Sequence, residues 1–128
     1  SDEEFQFMAS LQEKLWKKLE IPYRVVQICT GDMGWTDAKQ IDIEAWMPGQ
    51  GVYRETNSCS NTTDFQTRGI GAKYRAKDGK TEFMHCLNAT AFPIGRTIIA
   101  ILENYQKKDG TIEVPKVLRK SLGKKVIK

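Results

Sequence analysis

Across residues 3–20 the apolar side chains Phe5, Met8, Leu11, Leu15, Trp16 and Leu19 recur at spacings of three and four. That rhythm predicts an amphipathic helix of about five turns. Lys14, Lys17 and Lys18 gather near its C-terminal end, where cations suit the helix dipole, and Pro22 marks the stop. The β-branched and aromatic run 23–29 predicts a strand, and the glycines of 30–34 a turn. Residues 40–47 alternate cleanly. Ile41, Ile43, Ala45 and Met47 point one way, and Asp42, Glu44 and Trp46 the other. A strand with acids on its second face lies at a sheet surface or lines a polar cleft.

Residues 48–51 form a tight connection, and 52–59 return as a further strand. A short helical turn fits 64–68. Strands over 70–75 and 81–87 flank a linker whose Asp78-Gly79 is a strong hairpin signal. Helical spacing resumes after Pro93 with Ile94, Ile98, Ile101, Leu102 and Tyr105, until Asp109-Gly110 ends it. Residues 112–115 read as a short extended piece, and 116–128 as a basic, solvated and frayed tail or a contact for RNA phosphates. Helix, antiparallel strands and a second long helix make an α+β fold: a mainly antiparallel sheet flanked by helices.

Composition narrows the classes. With 128 residues, 40% hydrophobic and 28% charged, the chain is one ordinary globular domain. No apolar run reaches the roughly 20 residues of a membrane span, and the acidic opening Ser1-Asp2-Glu3-Glu4 resembles no targeting signal. A net charge of +4 suits a polyanionic partner without requiring one. Cys29, Cys59 and Cys86 are far apart and His85 is the single histidine. That argues against a zinc site and a disulfide framework, and reads as buried thiols in a reducing cytosol.

Three clusters could carry chemistry. In 53–61, Glu55 and Ser58 offer the hard oxygen ligands that Mg²⁺ accepts beside phosphates, if a bulge or strand end brings them together. A plain polar loop is the other reading. Asn88 and Thr90 stand at a strand-to-helix junction, suited to a small ligand or to capping the helix. Arg96 falls near a helix start, where the dipole disfavours a cation, so an anionic ligand or a carboxylate partner must hold it there. His85, inside an apolar strand beside Met84 and Cys86, reads as structural rather than as a general base. No glycine-rich phosphate loop of the GxxxxGK[ST] or GxGxxG type occurs.

The run Asn88-Ala89-Thr90 through Gly95-Arg96 and on to Gln106 resembles motif 3 of the seryl-tRNA synthetases. Asp109-Gly110, Val114-Pro115 and Leu118-Arg119 downstream fit the same family. So, in order, do Thr30-Gly31-Asp32, Asp42-Ile43-Glu44-Ala45-Trp46, Pro48-Gly49 and Tyr53-Arg54-Glu55 with Ser58-Cys59-Ser60-Asn61 and Asp64-Phe65-Gln66. The resemblance spans about 21–123 and implies a partial class II aminoacyl-tRNA synthetase catalytic core, with 1–128 its C-terminal half.

It implies serine activation by ATP and Mg²⁺, then transfer to the 3′ end of tRNA(Ser), in a cytoplasmic, homodimeric parent with no membrane role. Carried over by position, Glu55, Thr56, Asn57, Ser58 and Arg96 would contact ATP, and Glu55 and Ser58 would share the Mg²⁺. Asn88 and Thr90 would line the serine pocket, and no residue would act as an acid-base catalyst. The family's N-terminal arm and its motifs 1 and 2 are absent from the sequence, which implies an isolated chain of little or no ligase activity. Two other expectations stand beside this: a non-catalytic synthetase-like module that binds a nucleotide or protein partner, and a homologue that charges a carrier protein.

Overall fold

The computed structural model describes residues 1–128 throughout. Helix α1 (Asp2–Leu19) carries acids in its first turn and Lys17 and Lys18 in its last. It ends where Glu20 turns left-handed, at φ 56°, and its amide closes back on the Lys17 carbonyl. Ile21 and Pro22 then lead into strand β1 (Tyr23–Gln27). Strands β2 (Lys39–Met47) and β3 (Val52–Asn61) form the long central hairpin. Helix α2 (Phe65–Ile70) and the small ribbon β4 (Lys73–Arg75) and β5 (Thr81–Phe83) follow. Strand β6 (Leu87–Ala89) rejoins the main sheet, and α3 (Ile94–Tyr105) runs beside it.

The main sheet is antiparallel in the order β1-β2-β3-β6. Its apolar face carries Ile41, Ile43, Ala45 and Met47, as the alternation predicts, and all four are buried. Trp16, Leu19 and Ile21 cover one end together with Ala100 of α3, and Phe5 and Ala9 cover the other beside Ile41 and Cys59. Helices α1 and α3 therefore share one face of the sheet. The opposite face is polar, and it positions the site. No helix is long and apolar enough to cross a membrane.

Several expectations needed correction. The buried stripe of α1 is Phe5, Ala9, Gln12, Trp16 and Leu19, rotated from the predicted one, so Leu11 is exposed. A glutamine thus sits where a hydrophobe was expected. The second hairpin strand stops at Phe83, and 84–86 cross to the main sheet before β6 begins. His85 is consequently exposed and outside any strand, with Nδ1 2.8 Å from the Ser1 hydroxyl. Only Cys59 of the three cysteines is buried, while Cys29 is exposed.

The C-terminal tail is ordered. A 3-10 turn (Lys116–Leu118), helix α4 (Arg119–Leu122) and strand β8 (Val126–Ile127) follow β7 (Ile112–Glu113), with which β8 pairs. Arg119 anchors the turn through Nε to the Val114 carbonyl at 2.9 Å and Nη2 to Glu113 at 2.7 Å. Apolar side chains inside the basic run, Leu118 and Ile127, give it a surface to pack on.

Candidate functional site

The site is built by one irregularity in the central hairpin. Asp42 lies opposite Ser58 and Ile43 opposite Asn57, yet Glu44 lies opposite Glu55. Thr56 is the extra residue of a β-bulge. Its hydroxyl donates to the Ile43 carbonyl at 2.9 Å, across the point where the register shifts. In a regular strand Glu55 and Ser58, three residues apart, would point to opposite faces. The bulge absorbs one alternation and brings both to the face of their partners, Glu44 and Asp42.

The same face continues onto β6. Asn88 pairs with Ser60, and the Thr90 amide donates to the Ser58 carbonyl at 3.2 Å. Thr90 follows the last residue of β6 and is exposed. The chain uses the backbone carbonyls of Ser58 and Thr90 in its own hydrogen bonds but leaves their hydroxyls free. Helix α3 begins only at Ile94, behind Pro93, so neither Asn88 nor Thr90 is its cap. That removes the capping alternative.

Arg96, in the first turn of α3, reaches the bulge. Its Nη1 donates to the Glu55 carbonyl at 3.1 Å and lies 3.5 Å from Glu55 Oε1. Both side chains are about half exposed, so the pair is open to a competing anion. A concavity of about 360 Å³ opens beside it, lined by Arg54, Glu55, Arg96, Met47, Gln50 and Ile99. The largest concavity, about 450 Å³, lies elsewhere, between the start of α1 and β5, and holds none of these side chains.

Thr56 and Asn57 are the exceptions among the residues the sequence singled out. Both are buried, and their polar groups are consumed internally. Asn57 accepts the indole N–H of Trp16 at 2.7 Å and donates to the Thr90 and Ala91 carbonyls at 2.7 and 2.5 Å. Their side chains support the site from behind and are not presented to a ligand on the polar face.

The sequence places Asp42 on the acidic face of its strand, within a run that resembles the synthetase family. It is nearly buried and accepts a hydrogen bond from Gln40 at 2.9 Å. Burial raises its pKa above the ordinary carboxylate value, against the lowering by Gln40, and the charges of Glu55, Glu44 and Asp32 push it further up. Glu44 itself is partnered by Arg24. Gln12 and Trp16 were missed as site-related residues: the apolar spacing left Gln12 outside the predicted stripe, so no local signal marked it.

The sequence family described as tRNA synthetase class II core domain (G, H, P, S and T) matches residues 1–105. The chain belongs to that class II family. The serine–tRNA ligase of Dictyoglomus thermophilum is 52% identical over 128 residues, all of this chain and 30% of that protein. That of Thermodesulfovibrio yellowstonii is 53% identical over 129 residues, again all of this chain and 30% of the relative. Among solved structures, the seryl-tRNA synthetase of Pyrococcus horikoshii complexed with ATP superposes with TM-score 0.95 at 52% identity. It covers 99% of this chain and 29% of that one. The cytoplasmic serine–tRNA ligase of Naegleria fowleri in complex with AMP gives TM-score 0.90 at 44% identity, over 98% of this chain and 30% of that one. The chain thus spans about 30% of the length of these relatives. In this class II core the antiparallel sheet and its two covering helices agree with the architecture expected from sequence.

Proposed function

We propose that this chain is the part of a serine–tRNA ligase that holds the ATP phosphates and the serine side chain during serine activation. The carrying observation is the bulge at Thr56, which turns Glu55 and Ser58 to one face, with Asn88 paired beside them, the Thr90 amide bonded to Ser58 and Arg96 ion-paired to Glu55. The relatives named serine–tRNA ligases, matched over the full chain, support the reading, as do related structures solved with ATP and AMP.

In this reading Arg96 swings from Glu55 to an ATP phosphate, exchanging one anionic partner for another, and leaving a half-exposed ion pair costs little. Thr90 and Asn88 meet the serine hydroxyl. The serine carboxylate attacks the α-phosphorus, a new O–P bond forms, and pyrophosphate leaves with the electron pair of the broken P–O bond. Such a displacement needs alignment and charge neutralisation more than proton transfer, so no histidine is needed.

The Glu55 carboxylate and the Ser58 hydroxyl fit Mg²⁺, which binds through one or two protein oxygens and completes its shell with phosphates and water. No group of three or more His, Cys, Asp or Glu side chains converges here, as a self-sufficient metal cage would require. When bound, the ion would neutralise charge on the phosphates. Transfer to tRNA(Ser), a homodimeric parent and a cytoplasmic setting belong to the same proposal.

Serine-dependent exchange of pyrophosphate into ATP tests it. A ligase chain containing these residues should show robust exchange, and the 128-residue chain alone little or none. Absence of serine-dependent exchange in the longer protein would overturn the reading. A non-catalytic module is the weaker alternative, because the relatives matched over the whole chain are named serine–tRNA ligases.

A further inference from the structure

We propose that Gln12 of α1 is a positioning residue for serine selection, fixing Thr90 relative to Ser58 from behind the sheet. The inference rests on the functional reading above. Gln12 is 2% exposed, and its Nε2 donates both to the Ser58 carbonyl at 2.8 Å and to the Thr90 carbonyl at 2.9 Å. One amide nitrogen thereby ties together the backbones of a residue on the ATP side and a residue on the serine side.

The amide orientation follows from chemistry. Both partners are carbonyl oxygens, so only the nitrogen can face them, and a flipped side chain would set oxygen against oxygen. That choice leaves Gln12 Oε1 buried without a partner. Methionine or leucine would fill a similar volume and incur no such penalty. The glutamine therefore leaves one oxygen unpartnered while making two hydrogen bonds, a constraint that a hydrophobe cannot supply.

The constraint acts where the sheet no longer does. The ladder between β3 and β6 ends at the pair Cys59 and Ala89. Beyond it Thr90 is held by its amide on Ser58, by Gln12, and by Asn57, whose Nδ2 donates to the Thr90 carbonyl at 2.7 Å. Gln12 is the only one of these ties that spans both carbonyls. Releasing it lets the Thr90 hydroxyl drift from the position at which it can meet a substrate hydroxyl. A polar pocket rejects an analogue lacking the hydroxyl only while its own partner is held in place.

The test uses the ligase chain that contains these residues, with kcat/KM for pyrophosphate exchange measured with serine and with alanine. Gln12→Met keeps the volume and removes both donors. The serine-to-alanine ratio should fall about tenfold, mostly through slower serine activation. In a Thr90→Val background the same change should leave the ratio unaltered, because its route runs through the Thr90 hydroxyl. A purely structural role would lower both rates together and give the same loss in either background. Should Gln12→Met fail to fold, Gln12→Asn shortens the reach by one methylene and keeps the amide, with the same two outcomes. An unchanged ratio, or additive losses, overturns the proposal while leaving the function intact. Loss of serine-dependent exchange in the unsubstituted ligase would overturn the functional reading and this proposal with it.

Discussion

The indole N–H of Trp16 on α1 donates to the side-chain oxygen of Asn57 on β3 at 2.7 Å, with both residues buried. Asn57 in turn holds the carbonyls of Thr90 and Ala91, so one hydrogen bond links the core to the segment that enters α3. Trp16→Phe keeps most of the ring and strands the Asn57 oxygen in the core. We expect a loss of about 2 kcal/mol, the typical cost of an unanswered buried acceptor. Urea denaturation should show a lower midpoint with an unchanged slope, and a shift worth less than a few tenths of a kcal/mol would mean the bond does not constrain the fold.

Asp42 provides a pH test. Its folded pKa is raised, first by burial and then by neighbouring carboxylates. Protonation is easier in the folded state, so Asp42 favours folding most below its ordinary value near 3.8, and that contribution is lost as pH rises through the raised pKa. Asp42→Asn should therefore be more stable than the parent at pH 7. The advantage should close as pH falls through the carboxylate range. Denaturant midpoints at pH 7 and pH 4 decide it, and a variant that is weaker at pH 7 would refute the sign.

Arg96 and Glu55 separate stability from function. Their ion pair is half exposed, so its loss should change stability by less than about 1 kcal/mol. Arg96→Ala should nonetheless weaken ATP binding by the ligase about 10- to 100-fold, the worth of a charge-assisted contact to phosphate. Glu55→Gln should flatten the dependence of exchange on Mg²⁺ concentration. Calorimetry with ATP, set beside thermal melts, distinguishes a lost ligand contact from a damaged fold.

Thr90 is exposed and its hydroxyl forms no bond within the chain, so Thr90→Val should leave the melting temperature nearly unchanged. Discrimination between serine and alanine should drop by about two orders of magnitude or more, since a pocket that hydrogen-bonds a substrate hydroxyl loses its main ground for rejection. Exchange rates with the two amino acids give the answer. An unchanged ratio would place the serine hydroxyl elsewhere.

Much of the scaffold was legible because it depends on local periodicity. The alternation of 40–47 became β2 with its buried and polar faces, and the spacing of 94–105 became α3. The failures occurred where tertiary context overrode a local signal. Residues 84–86 look like strand, yet the chain leaves one sheet there to join another. The tail of 116–128 looks frayed, and although most of it is exposed as expected, β7 offers β8 an edge to pair with.

The sequence by itself determined the α+β order, the two covering helices and the residue types of the site, because periods of two and 3.6 follow from backbone geometry alone. Tertiary structure decided which of those residues share a face. Glu55 and Ser58 are three apart, and only the extra residue at Thr56, stabilised by a bond to Ile43 on another strand, turns them the same way. Thr56 and Asn57 stand beside them in sequence and are instead turned into the core, where the indole of Trp16 and the carbonyls of Thr90 and Ala91 claim Asn57. A bulge and a buried polar network arise from partners tens of residues away, so no local pattern announces them.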